Sequence, residues 1–363
     1  MLFYIGDHIM KNLPESIEHK NQIENIIFEG GGIRGICFAG SLQKLDEMHI
    51  LPQIQNIAGT SAGAFIAMTL AIGYTPSEIQ TVLEELDFKK FQDSGFNRGG
   101  PAVSFFKKVY NILCKFGWYQ GDELHKWLCS LVKNKTGEND LTFKEVYQLF
   151  NKNLVMTGTN LSKASTEYFS YQTTPDMSIC LAARISGSLP LVFKPIKYKK
   201  DLFIDGGFLN NYPIWVFDKP GQLTTYPIFD SNPKTLGLKI IEKDIKTDQR
   251  FFYGALNTDK FHNYCMSLIE CMQYQIERGY ISPGYWERTV AIEIKDIGVT
   301  EFDITLEKKR EIIDRGYDAV EKYFNSTKYY NQLSYKLREK TKKHRKKRKV
   351  RKKRRKIKQE IED

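Results

Sequence analysis

The sequence predicts an α/β chain, a three-layer α/β/α fold around a mainly parallel central sheet, and three stretches carry that expectation. Residues 24–28 (ENIIF) are a short apolar run that stops at Glu29 and a glycine cluster, as a buried strand does. Residues 50–58 (ILPQIQNIA) form a turn and a second such run, which ends in GTSAG. A helical pattern follows each. Strand, glycine loop, helix, strand, tight turn, helix is a βαβ order, and that order implies parallel strands with helices packed on them. The third stretch, DLFI at 201–204, reads as another strand, ending in Asp-Gly-Gly. Sites in such folds sit at strand ends.

Each element has its own warrant. In ICFAGSLQKLDEM (36–48), Ile36, Ala39, Leu42, Leu45 and Met48 recur at helical spacing. SAGAFIAMTLAIGY (61–74) reads as a helix closed by Gly73 and a turn at Thr75–Pro76. Residues 77–150 look mainly helical, with a Gly/Pro break at FNRGGPAV (96–103). NLVMTGTNL (153–161) and TEYFSYQTT (166–174) look like strands, and SICLAARISGSLP (178–190) like a helix that ends before Pro190. LGLKIIE (236–242) and TVAIEIK (289–295) are further strand candidates. Residues 259–280 and 305–324 read as long helices.

A chain of 363 residues with 41% hydrophobic content buries a real core, so a wholly disordered or fibrous protein is excluded. The net charge of +11 is unevenly placed. Residues 336–358 hold 17 Lys and Arg against one acid, Glu339, a local +16, so the remainder of the +11 chain carries −5. From about Lys336 the composition is too basic and too poor in apolar residues to fold alone. Six cysteines without a CxxC pair read as reduced thiols, as in the cytoplasm. The first residues lack the pattern of a secretory signal. Residues 57–74 are uncharged and near the lower limit for a membrane span, but the small polar Gly59–Gly63 end and the missing positive flank favour a buried helix.

Three motifs carry chemistry. Gly59-Thr60-Ser61-Ala62-Gly63 is a G-x-S-x-G between a strand and a helix. Such a turn holds a serine hydroxyl outward, above helix amides suited to a developing oxyanion. The same letters also suit a helix start selected for close packing. Gly30-Gly31-Gly32-Ile33-Arg34-Gly35 fits an oxyanion loop, because glycine amides reach a carbonyl oxygen without side-chain obstruction. It also fits the dinucleotide pattern G-x-G-x-x-G, but residues 50–58 lack the acid that would hold a ribose. Arg34 is read either as ordering this loop, or attracting an anionic headgroup, or as a surface residue. Asp205-Gly206-Gly207 places an acid at a strand edge, where a plain turn aspartate also fits.

Taken in order, GGGxRG, GxSxG and DGG resemble the patatin-like phospholipase family. AARISGSLPLVFKPI (182–196) before DLFIDGGFLNNYPI (201–214) is similar to that family's approach to its aspartate. The likeness covers roughly residues 24–216, and residues 298–324 are similar to the closing helix of many members. The resemblance implies a Ser61–Asp205 dyad, with Ser61 as nucleophile and Asp205 as general base. It also implies an oxyanion loop at Gly30, Gly31, Gly32, Arg34 and Gly35, with Gly59 and Gly63 flanking the serine and Gly206 and Gly207 following the acid. Hydrolysis of acyl lipids with no metal and no cofactor is the implied activity, and DGG is a family variant beside DGA. The expected organisation is an extension over 1–23, the phospholipase domain over 24–216, an α/β elaboration over 217–332 packed on it, and the basic tail over 333–363.

An ordinary triad needs a histidine after the acid, and only His262 and His344 follow Asp205. His344 lies in the tail, and His262 lies near the start of a helical pattern. His8, His19, His49 and His125 show no metal-ligand spacing. The tail suits an anionic membrane surface, nuclear targeting or contact with nucleic-acid phosphates alike, since no aromatic residue interleaves it for base stacking. A catalytically inactive protein that binds lipid or nucleic acid is therefore the alternative function. Oligomeric state is not legible in the sequence.

Overall fold

The computed structural model describes residues 23–93, 114–228, 231–241, 264, 267–269, 271–273, 275–276, 285–295 and 297–326. Gln22–Glu321 is one compact unit, and Met1–Asn21 with Lys322–Asp363 falls in another. His262, His344 and the basic tail lie outside the described residues.

The sheet begins as the sequence predicts. β1 (Asn25–Phe28) is buried along its whole length, and β2 (Asn56–Gly59) pairs parallel to it. Between them run a 3-10 turn (Gly32–Ile36) and α1 (Cys37–Glu47). α2 (Ala62–Ala71) follows β2, and α3 (Pro76–Glu85) starts on a capping box from Thr75 and Glu78. β3 (Gly117–Tyr119) leads to α4 (Asp122–Thr136) and α5 (Phe143–Phe150). The fully buried β4 (Asn153–Asn160) pairs parallel to β2, and β5 (Ser165–Ser170) returns antiparallel to β4. α6 (Ile179–Ser186), β6 (Leu191–Phe193), β7 (Ile196–Tyr198) and β8 (Asp201–Asp205) complete this half. β9 (Thr235–Ile241) and β10 (Thr289–Glu293) extend the parallel edge beyond β1, and the last helix is residues 306–326 (α7).

The strand order is β10-β9-β1-β2-β4-β8-β7, with β5 on the other edge of β4. The sheet is mixed and mostly parallel, and antiparallel pairing is confined to the β4, β5, β7, β8 end. Side chains alternate across it, so Ile27, Ala58 and Val155, aligned by register, share one face. Tyr212, Ile214, Trp215, Val216 and Phe217 close that face. Phe28 points to the opposite face and meets Phe38 of α1 edge-on at 5.4 Å. Two covered faces make the three layers.

The pairing of β4 explains how distant residues meet. β5 spans Val155–Asn160 along one edge of β4. The other edge is shared: β2 takes Asn153–Met156, and β8 takes Gly158–Asn160 from the opposite direction. The ends of β2 and β8 therefore face each other across Thr157. The stretch read as a membrane-length run is divided between the end of β2 and the 10-residue α2, which packs against this sheet, and no helix among the described residues is long and apolar enough to cross a membrane.

Candidate active site

Ser61 sits at the start of α2 with φ 53 and ψ −124, a backbone conformation that costs a non-glycine residue free energy and marks a sharp strand-to-helix turn. The turn forms because its neighbours leave no room for anything wider. A Cβ on Gly63 would lie 2.5 Å from the carbonyl oxygens of both Phe28 and Glu29, so α2 begins in contact with the β1 backbone. Gly63→Ala is expected to destabilise the chain by at least ~2 kcal/mol, since backbone rather than a flexible side chain must yield. Urea unfolding of the variant reads this out. The Ser61 amide donates to Ser186 Oγ at 2.8 Å, and Thr60 Oγ1 meets Thr157 Oγ1 at 2.7 Å.

Asp205 ends β8 and is buried. Ser61 Oγ donates to Asp205 Oδ2 at 2.6 Å, and the Gly207 amide donates to Asp205 Oδ1 at 2.7 Å. Burial pushes the Asp205 carboxyl up to about 7, against the opposing pull of the Ser61 and Gly207 hydrogen bonds. Loss of solvent is the largest of these effects.

The glycine loop lies alongside. Gly30, Gly31, Gly32 and Arg34 line a small polar pocket with Ser61, Asp205 and Asn211. Gly32 adopts φ +56, and a Cβ there would meet the Val299 carbonyl oxygen at 2.2 Å. The Gly30 amide donates to the Asn211 carbonyl at 3.1 Å, and Asn211 Nδ2 donates back to the Gly30 carbonyl at 2.9 Å. Among the described residues, no other element accepts a backbone hydrogen bond from the Gly31 or Gly32 amides. Arg34 is buried and points Nε toward the Gly31 carbonyl at 3.5 Å, which ties the loop to itself. Gly35 sits against Ala62, and Gly206 against Thr157.

Glu29, just before the loop, is buried with Lys239 of β9. Its Oε1 accepts from Lys239 Nζ and its Oε2 accepts from the Ile240 amide at 2.7 Å. Lys239→Met is expected to lower stability by ~3–5 kcal/mol, because the buried Glu29 carboxylate loses a buried cationic partner. Denaturant unfolding checks this, with Glu29→Gln/Lys239→Met predicted to recover part of the loss.

An apolar cavity of about 920 Å³, counting its open mouth, adjoins the serine. α2, α3 and α4 each supply part of its wall, including Phe65, Leu83, Leu131 and Trp127. Phe91 and Phe193 close in around it. Lys309 of α7 braces α3 from outside: its Nζ donates to the carbonyls of Leu83, Glu84 and Leu86 at 3.0, 2.7 and 2.6 Å. Trp127 lines the cavity, Phe116 is exposed, and Phe105 and Phe106 lie outside the described residues.

The structure thus gathers Ser61, Asp205 and the 30–35 loop at one place. Sequence reasoning missed Asn211, Ser186 and Arg184. Arg184 is buried on α6 and holds the segment after Ser186, donating to Ser188 Oγ at 2.6 Å and to the Gln120 and Gly121 carbonyls at 2.7 and 2.8 Å. Only Asn211 carried a signal, its place four residues after Gly207 in FLNNYP.

Residues 26–218 match the Patatin family, described as patatin-like phospholipase, and the chain belongs to that family. An uncharacterized protein of Acanthamoeba polyphaga mimivirus is 31% identical over 86% of this chain and 97% of its own length. The "Probable lipid hydrolase 463L" of Invertebrate iridescent virus 6 is 31% identical over 53% of this chain and 62% of its own. The crystal structure of VipD from Legionella pneumophila shares the fold at TM-score 0.52 and 18% identity, covering 84% of this chain and 67% of that one.

Proposed function

We propose that the chain is a serine acyl-lipid hydrolase of phospholipase A or lysophospholipase type, a carboxylic ester hydrolase acting through an acyl-enzyme. The 2.6 Å hydrogen bond from Ser61 Oγ to Asp205 Oδ2, placed where a polar pocket meets an apolar cavity, carries the reading. Family membership and the named lipid hydrolase relative support it.

In this mechanism the acyl chain lies in the apolar cavity and its ester carbonyl faces the glycine loop. Asp205 takes the Ser61 proton as Oγ attacks the carbonyl carbon. Negative charge moves to the carbonyl oxygen, where the Gly31 and Gly32 amides stabilise it, each donor worth about 3 kcal/mol in the transition state. Collapse breaks the ester bond, and Asp205 returns the proton to the departing alkoxide, releasing a lysolipid or glycerol alcohol. Water then gives its proton to Asp205 and attacks the acyl carbon. Ser61 leaves with that proton, and a fatty acid is released. The raised Asp205 pKa suits this exchange, because a base near the working pH both accepts and gives back.

Anionic membrane contact by residues 336–358 belongs to the same proposal, at ~1 kcal/mol per basic residue near the surface, weakened by salt. Nucleic-acid contact by these residues has charge alone in its favour.

Incubation with a fluorophosphonate and a panel of diacyl, lyso and neutral lipids tests the reading. The expected result is covalent label on Ser61 and release of fatty acid from at least one lipid. An unlabelled, inert protein sinks it in favour of the binding-only alternative. His262→Ala is expected to keep activity, and a loss of several orders of magnitude would replace the dyad by a triad.

A further inference from the structure

A second group of reactive side chains gathers away from the dyad residues. Cys129 on α4, Asp140 in the loop before α5, and Cys180 in the first turn of α6 place two sulfurs and a carboxylate oxygen within 4.8 Å of one another. His125, one turn before Cys129 on α4, sets Nε2 3.7 Å from Cys129 Sγ. Its Nδ1 is buried and has no hydrogen-bond partner. The spacings of 4, 11 and 40 residues along the chain match no compact ligand motif, and the fold alone creates the group.

Two thiols, an imidazole and a carboxylate are the donor set of a tetrahedral zinc centre. Ligand atoms on one such ion stand roughly 3.3–3.8 Å apart, so small rotations close the two sulfurs and the carboxylate on one centre. His125, which touches only Cys129 in this group, must swing further to complete it. The carboxylate is already oriented: Asp140 Oδ1 accepts from the Leu141 amide at 2.8 Å and from the Cys180 amide at 3.4 Å, and Ser178 Oγ donates to Oδ2. Bonds of this kind fix a ligating carboxylate. Cys180 is buried, while Cys129 and Asp140 are half-exposed and leave a way in.

A disulfide is the competing use of two close thiols. Both cysteines are free thiols in the structure, and a dication that takes them as thiolates releases their two protons to solvent.

We infer that Cys129, Asp140 and Cys180, completed by His125, bind a borderline-soft divalent cation of the zinc class as a structural site. It joins α4, a wall of the apolar cavity, to the start of α6, the helix that ends at Ser186 beside the serine turn.

Cobalt titration of the reduced full chain tests this, in a background where the exposed Cys114 and Cys271 are serine. One equivalent of Co²⁺ should bind with near-ultraviolet thiolate charge-transfer and tetrahedral visible bands, and Zn²⁺ should displace it and raise Tm. Cys180→Ser should abolish the charge-transfer band, and Asp140→Asn and His125→Ala should weaken binding ~10–100-fold. If Cys180→Ser does not fold, the Asp140 and His125 variants decide. No charge-transfer band at saturating Co²⁺, affinity unchanged in those variants, or two thiols lost to a disulfide in the isolated protein overturns the assignment.

Discussion

Ser61→Ala is expected to lower fatty-acid release by roughly 10⁴-fold or more while leaving the fold and lipid binding in place. The alanine keeps the turn, because the strain at φ 53 comes from the backbone and from the close approach of Gly63 to β1. What disappears is the attacking oxygen and the hydrogen bond that lowers the Asp205 pKa, so the carboxyl of the variant should titrate higher than in the parent. Equilibrium binding of a non-hydrolysable lipid analogue should change little. An unfolded variant, or one with more than a hundredth of parental turnover, would contradict the account.

Asp205→Asn carries the second large effect, a fall of ~10³–10⁴-fold from removal of the base. Asparagine still accepts the Gly207 amide through Oδ1, but its Nδ2 donates toward Ser61 and cannot take a proton. In the parent, activity should rise with pH through about 7 and then level, because Asp205 must be ionised to act. Stability should run the other way. The folded carboxyl titrates near 7 and the unfolded one near its ordinary value of 3.8, so between these values the folded chain holds the extra proton. Its contribution is full below about 4 and is lost as pH rises to 7. Asp205→Asn lacks that loss and should gain on the parent in Tm across the same range, which calorimetry at several pH values reads directly. A variant that falls further behind the parent as pH rises would show that the carboxylate is not desolvated.

Local features of the site were legible in the sequence, and non-local ones were not. The strand, serine turn and helix at 56–71 lie within a few residues of one another, so periodicity and glycine placement announce them. The helix after the GGGIRG run, α1, was equally local, whereas the 3-10 turn over Gly32–Ile36 was not read. Asp205 could be read as a strand end, but not that β8 runs antiparallel to β4 and in line with β2, because that pairing joins segments some 45 residues apart. The two-stranded β3–β6 sheet was invisible, β3 lying in the stretch 77–150 read as mainly helical and β6 just past Pro190, since three-residue strands show no period. Ser186, Asn211 and Arg184 are ordinary polar letters until the fold turns them toward a backbone amide, a glycine carbonyl or a buried loop.

The shared edge of β4 makes turnover a gauge of strand alignment. If β8 slides by one residue, every side chain on it switches faces, and Asp205 turns away from Ser61 while the ladder still forms. During refolding from denaturant, far-ultraviolet ellipticity should therefore recover before catalysis, and the lag between the two measures the search for the correct slot.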